Sequence, residues 1–410
     1  MTVDKNVPDI RFKEFSGEWG KSPLGSLCLI GDIDHRMPES KITGIPYLMT
    51  GDFYGINGLD FSNAKLISIE DYEQLSKKIK PEFGDILFAR YASVGAVRYV
   101  ETDIKFLISY SCAILKTNNT TYGTYLFYFF QTEKTQGQFE LGINTGSQRN
   151  IGIDSLKSLL VALPKPDEQT QIGNYFQKLD NLINHHQQKH DKLSNIKKAM
   201  LEKMFPKQGE TIPEIRFKGF NGEWLSNSIG EICGATFGGG TPSTNDKDFW
   251  QGEIPWIQSS DIKDGSVTSV TAKKYITKTA VNKSATKLIS GNSIAIVTRV
   301  GVGKLSLMQG EYATSQDFLS LSDIKIDSQY AVYVIWKQLQ IEKEQVQGTS
   351  IKGITKDELL GKFISYPKSE KEQTAIGNYF QKLDTLINQH QQQITKLNNI
   401  KQACLSKMFV

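Results

Sequence analysis

The chain has 410 residues, enough for two or three domains of ordinary size, with 39% hydrophobic and 22% charged residues. That balance excludes a mostly disordered chain, a collagen-like repeat and a disulfide-dense miniprotein. Net charge is +4 and the isoelectric point 8.6, below the value of about 9 expected of a self-sufficient DNA-binding domain, so any DNA-facing basic surface has to be local or supplied by a partner.

No apolar run approaches the ~20 residues of a bilayer span. Residues 126–130 and 159–163 are core-sized instead. The start lacks a basic stretch followed by an apolar one, so no signal peptide and a cytoplasmic location are expected. Cys28, Cys112, Cys233 and Cys404 are scattered without a C-x-x-C pair. They predict four reduced thiols, with neither a zinc site nor a disulfide framework.

In chain order, residues 1–20 form a linker in which 7–19 read VPDIRFKEFSGEW. Residues 21–166 are mixed, with short β-type runs, Gly/Asn/Asp turns and a few helices, and have the size of one domain. Residues 167–205 read DEQTQIGNYFQKLDNLINHHQQKHDKLSNIKKAMLEKMF without an internal proline. They predict a single helix roughly 58 Å long at 1.5 Å per residue. Ile172, Phe176, Leu179, Ile183, His186, His190 and Leu193 alternate steps of four and three, a heptad seam; the pattern then shifts to Ile196, Met200 and Met204. Pro206 ends this helix.

A second linker, 206–225, carries IPEIRFKGFNGEW, the first linker again at an offset of 205. Residues 226–369 form a second mixed segment. Within 370–410 the chain reads KEQTAIGNYFQKLDTLINQHQQQITKLNNIKQACLSKMF, identical to the first helix at 28 of 39 aligned positions. The seam recurs as Ile376, Phe380, Leu383, Ile387, His390, Ile394 and Leu397. The chain is therefore an internal duplication in which linker and helix stayed constant while the segments between them diverged.

Two near-identical seams most simply pack on each other antiparallel, about a pseudo-twofold axis. The expected class is α+β: two mixed α/β domains joined by two long antiparallel repeat helices in a coiled coil. His186 and His390 take equivalent seam positions, where polar residues fix register; a metal or proton-switch role is the competing reading.

The diverged segments share weak landmarks. Residues 45–48 with Asp52 match 254–257 with Asp261. Residues 84–87 with Arg90 and Gly95 match 291–294 with Arg299 and Gly303, allowing small insertions, and 145–151 match 348–354. One scaffold with different surface residues is the pattern expected of two readers of different targets.

On the doubled I-R-F-x-x-F-x-G-E-W linker, the doubled E-Q-T-x-I-G-N-Y-F-Q-K-L-D helix, the G-G-T-P-S run at 239–243 followed by I-P-W, and G-D-I-L at 84–87, the chain resembles the specificity subunits of type I restriction–modification enzymes over essentially its whole length. The resemblance implies two target-recognition domains, each reading one half of a bipartite double-stranded DNA site. The repeated helices would set the spacer and dock two modification (methyltransferase) subunits that hold S-adenosylmethionine and methylate adenine N6. Restriction subunits using ATP and Mg would join for cleavage. This chain would itself be a non-catalytic subunit, binding no cofactor or metal. The first segment departs from the pattern: it has G-D-I-D-H-R at 31–36 where the second has G-G-T-P-S.

The residues offer no enzyme of their own. No proline is followed by another, so the N/D-P-P-F/Y loop that holds a flipped adenine is missing. Gly303-Lys304 is followed by Leu305, and residue 298 is Thr, so no phosphate-wrapping P-loop forms. Asp9 with Glu39 and Lys41 imitates a nuclease pattern, but the second copy has Thr244-Asn245-Asp246 where the E-x-K would stand.

DNA reading has the better case. Base edges are read by Arg or Lys on guanine and Asn or Gln on adenine, and phosphates by Lys, Arg and backbone N–H groups. The candidate DNA contacts are Arg90, Tyr91, Gln148, Arg149 and Asn150 in the first segment. In the second they are Thr241, Gln258, Ser259, Arg299, Lys304, Thr349, Ser350 and Lys352. Each also fits an ordinary solvated turn. Arg11, Lys13, Arg216 and Lys218 lie in the constant linkers and are expected to make packing or partner contacts, because readers of different sequences would not share base contacts. A coiled-coil adaptor tethering two protein-binding domains is the alternative reading.

Overall fold

The computed structural model describes residues 6–118, 121–144, 146, 149–345 and 353–410, with the backbone alone for 342–345. It contains two compact units. One runs up to His186 and adds Gln392–Val410; the other is Gln187–Gln391. Each long helix, Pro166–Lys203 and Glu370–Lys407, therefore belongs partly to one unit and partly to the other.

The first unit is built on a four-stranded antiparallel sheet in the order Leu29–Gly31, Cys112–Lys116, Ile86–Ala89, Val97–Tyr99. All four residues of Ile86–Ala89 are buried, as a central strand with both faces covered requires. A three-stranded sheet sets Ile45–Leu48 between Lys65–Ile67, antiparallel, and Leu107–Ile108, parallel. The strand Gly20–Pro23 pairs with Leu160–Leu163 and closes the domain just before the long helix. Residues 126–130 prove to be core: the helix Gly123–Phe129 is buried at every position.

The second unit repeats this plan. Its four-stranded sheet runs Cys233–Gly238, Phe318–Ile324, Ser293–Val297, Leu305–Met308. Ile254–Ile257 lies between Lys274–Ile276, antiparallel, and Ala313–Thr314, parallel. Leu225–Ser228 pairs with Phe363–Tyr366. The first unit adds the short hairpins Phe53–Tyr54 with Gly58–Leu59 and Ile143–Asn144 with Asn150–Ile151.

Within each unit the two long helices run antiparallel. In the first, Tyr175 meets Cys404 and Asp180 meets Lys401; in the second, Asp384 meets Lys197. The seam does more than join helices. Ile172, Phe176 and Leu179 are buried in the domain core of the first unit, against which Leu397 packs, and Ile183 is buried too. Ile376, Phe380 and Leu383 do the same in the second, with Leu193 packed against them, while Ile387 is half-buried. His186 and His390 are half-buried.

The ends of the helices plug the units. Phe409 packs against Tyr125, Phe129 and Phe176 at ring separations of 5.5, 6.2 and 5.7 Å. Its counterpart Phe205 packs against Tyr330, Trp224 and Phe380 at 5.6, 6.2 and 5.7 Å. Such aromatic burial is among the largest single contributions to a core. The K-M-F ending is repeated because each unit is finished by the helix end of the other copy.

Candidate nucleic-acid interface

The constant motifs form anchors. Arg11 meets Glu168 through two parallel bonds, Nε–Oε1 and Nη2–Oε2, both 2.7 Å, and Glu168 is 1% exposed. Arg216 meets Glu372 in the same way at 2.6 and 2.7 Å. This two-pronged geometry is specific to a guanidinium. Arg11 also donates to the Gly17 carbonyl, and Arg216 to Gly222 and Asn221. Of the residues expected to make packing or partner contacts, Arg11 and Arg216 pack within the chain against the glutamate of E-Q-T, while Lys13 and Lys218 are exposed. The next residue, Gln169, accepts from the Tyr122 N–H and donates to the Pro164 carbonyl; Gln373 does so with Asp327 and Pro367.

A second pair of anchors was not legible in the sequence. Tyr128 donates to Asp180, which also pairs with Lys401 at 2.7 Å, all three buried. Tyr333, Asp384 and Lys197 repeat the arrangement, with Lys197 to Asp384 at 2.5 Å. Burial first, and the neighbouring aspartate second, push both phenols far above their ordinary value, so they stay neutral donors. A buried Asp–Lys pair adds little net stability over apolar packing, but an unpaired member is costly, so it fixes which register the helices adopt.

Three loops converge at one end of each four-stranded sheet. In the first unit the loop 109–111 is the hub: the Ser109 N–H donates to the Leu48 carbonyl and the Arg90 N–H to Ser111. The 90–95 turn then holds the 150–151 strand, because the Ile151 N–H donates to the Arg90 carbonyl at 3.0 Å and Tyr91 bridges Asn150. In the second unit the hub is 315–318. The Ser315 N–H donates to Ile257, the Thr298 N–H to Asp317, and the Gly239 N–H to Phe318. The Ile354 N–H donates to the Thr298 carbonyl at 2.8 Å, the same joint as in the first unit. Gly239 is required by space: a Cβ there would lie 1.8 Å from the Ser315 carbonyl oxygen.

The model for the type I restriction modification DNA specificity domain matches residues 16–195 and again 221–399. The chain belongs to this family. It is 46% identical over 89 residues, 22% of its length, to the type I restriction enzyme EcoR124I/EcoR124II specificity subunit of Escherichia coli. It is 27% identical over 195 residues, 46% of its length, to the MjaIX specificity subunit of Methanocaldococcus jannaschii. These alignments span 21% and 44% of the two relatives. Among solved structures, the S subunit of a type I restriction–modification system from M. genitalium aligns with a TM-score of 0.63 at 15% identity, covering 98% of this chain and 99% of that one, a likeness of fold.

Both stretches matched by the specificity-domain model end inside a long helix, a few residues past the point where the chain passes from one unit into the other. Arg90 apart, the predicted contacts of this family member fall into three groups. Arg149, Thr241 and Arg299 are exposed, and Tyr91, Asn150, Gln258, Ser259 and Lys304 are half-buried around the loop joints. Arg149 shares its exposure with Glu140, bonded at 2.5 and 2.6 Å. Ser259 sits beside the Gly301 turn. Gln148, Thr349, Ser350 and Lys352 lie outside the described residues.

Arg90 is a correction. It is 6% exposed, with its guanidinium bonded to Asp32 and to the Ile151 carbonyl, so it is withdrawn from any base edge. Its proposed match to Arg299 also fails. Strand pairing sets Ile86 opposite Leu115 and Ile294 opposite Leu321, which aligns Arg90 with Thr298 and Tyr91 with Arg299. Among the described residues no cluster of His, Cys, Asp and Glu could hold a metal ion, and no helix is long and apolar enough to cross a membrane.

Proposed function

We propose that this chain is the DNA-specificity subunit of a type I restriction–modification complex, in which each unit reads one half of a bipartite site. The observation that carries this reading is the repeated loop joint. The same backbone bond, Ile151 to Arg90 and Ile354 to Thr298, presents different side chains in the two units. One scaffold with two reading surfaces suits two half-sites.

The positions around these joints, exposed Arg149 with half-buried Asn150 and exposed Thr241 with Arg299, are the candidate contacts, to which Gln148, Thr349, Ser350 and Lys352 are added on sequence grounds. The long helices set the spacer, and their faces dock two modification subunits, with His186, Ile387 and His390 among the half-buried seam positions. Those partners hold S-adenosylmethionine and methylate adenine N6. Restriction subunits, with ATP and Mg, act on the same complex, in the cytoplasm. The mild net charge of +4 supports a shared phosphate footprint.

Adenine methylation mapped across the host genome, with and without this gene, tests the reading. Loss of one two-part adenine motif is expected. Unchanged methylation alongside an expressed methyltransferase partner would overturn it. Removing four residues from each helix in register should shorten the recognised spacer and leave both half-sites unchanged.

A further inference from the structure

The first unit carries an ionic hub with no counterpart among the described residues of the second. Asp32, 7% exposed, accepts from Arg90, from Lys78 at 2.9 Å and from His35 at 3.1 Å. Of these three donors only Arg90 is buried; the side chains of His35 and Lys78 are 58% and 52% exposed. Arg90 reaches in two directions. Its guanidinium grips Asp32, beyond the end of strand Leu29–Gly31, and the Ile151 carbonyl at 3.0 Å, while its own carbonyl receives the Ile151 N–H. The turn that follows holds Ala92 at φ +55°, a left-handed conformation costly for a residue with a Cβ. Such a turn persists when its surroundings over-determine it.

Strand register aligns Asp32 with Gly238 and Arg90 with Thr298. In the second unit the side chain at that place is a hydroxyl turned to the hub loop: Thr298 Oγ1 donates to the Asp317 carbonyl at 3.0 Å, and the Ile354 N–H donates to the Thr298 carbonyl. There the turn carries Gly301 at positive φ, whereas Gly303 matches Gly95 of the first unit, both at positive φ.

We propose that Arg90, held by Asp32, is the positioning residue for the first half-site: it fixes the 91–94 turn against Arg149 and Asn150 so that these reach the DNA together. The proposal rests on the bipartite reading above. Burial opposes ionisation of Asp32, but the hydrogen bonds from Lys78 and His35 and the charges of Lys78 and Arg90 outweigh it and hold the carboxyl below its ordinary value. The hub is thus ionic at neutral pH.

The test uses the full chain in complex with its methyltransferase partner and three duplexes: the mapped site, the site with the first half scrambled, and the site with the second half scrambled. Arg90→Gln should lower discrimination at the first half-site by roughly tenfold or more, the scale of one lost base-pair contact, and leave the second untouched. The salt dependence should stay the same, because a buried guanidinium neutralises no phosphate. Asp32→Asn should act like Arg90→Gln, and it serves where Arg90→Gln unfolds the unit because it conserves volume. Arg90→Lys should fall between, since an ammonium cannot span both acceptors in the same plane.

If Asp32→Asn changes nothing while Arg90→Gln alters the preference at a single base pair, Arg90 reads a base directly and the proposal is wrong. Equal loss at both half-sites would make Arg90 a general structural residue and also overturn it. If the wild-type complex distinguishes none of the three duplexes, the bipartite reading itself fails and the proposal falls with it.

Discussion

The two units share their anchors and differ in their loops. Arg11–Glu168 and Arg216–Glu372, Tyr128–Asp180–Lys401 and Tyr333–Asp384–Lys197, Phe409 and Phe205 are the same device built twice. By contrast, the side chain at the joint is gripped by an ion pair in the first unit, Arg90 with Asp32, and bonded through a hydroxyl in the second, Thr298 with the Asp317 carbonyl. The two copies agree where the helices complete the fold and differ around the loops, at buried Arg90 and Thr298 as well as at the surface. The constant linkers and helices are therefore conserved as interlocking parts, because each anchor joins two distant stretches of chain and neither half can change alone.

The largest effect should come from breaking a buried anchor. Lys401→Met leaves Asp180 buried and unpaired and should destabilise the first unit by about 3–5 kcal/mol, and Lys197→Met the second by a similar amount. Hydrogen exchange resolved along the chain would show each loss confined to its own unit. Replacing Tyr128, Asp180 and Lys401 together by Phe, Leu and Met should recover most of the stability, because no buried polar group is then orphaned.

Next come the helix glycines. A Cβ at Gly173 would lie 2.2 Å from Thr124 Oγ1, whereas one at Gly377 would lie 2.9 Å from the Tyr330 backbone nitrogen. Each alanine substitution should cost about 1–3 kcal/mol. Thr124→Ala should rescue Gly173→Ala in part, since the Cβ of residue 124 stays 3.0 Å away, and no side-chain change should rescue Gly377→Ala, which thermal unfolding of the paired variants would check.

Arg11→Lys and Arg216→Lys should each cost about 1–2 kcal/mol, since charge survives and the two-pronged bond to the buried glutamate does not. The smallest effect separates the units by pH. Asp32 has its folded pKa depressed from 3.8, so its contribution is present above that value and fades as the pH falls through the lower folded one. Asp32→Asn should flatten the acid limb of stability in the first unit alone, since Gly238 stands at that place in the second.

Much of this architecture was legible in the sequence. The duplication, the two helices and their seams follow from repeats and a heptad period, and the absence of proline let each helix run unbroken. Arg11 and Arg216 were legible as packing residues because readers of different targets would not share them. The Asp180–Lys401 pair was not. Charged residues on a helix read as solvated, and the pair crosses from one copy of the repeat to the other, a contact no local pattern encodes. Identity between the copies does not single the pair out either, because Asp180 and Lys197 stand among polar neighbours that are repeated as well. Arg90 misled for the opposite reason. An arginine near glycine reads as an exposed loop cation, and only strand register reveals Asp32 beneath it and Thr298 as its counterpart.

The central claim is that the two units read independently on a common scaffold. Exchanging residues 226–369 for the corresponding segment of another family member, then mapping adenine methylation across the genome, tests it most directly. The account predicts that one half of the methylated motif changes while the other half and the spacer persist. A change in both halves would contradict it.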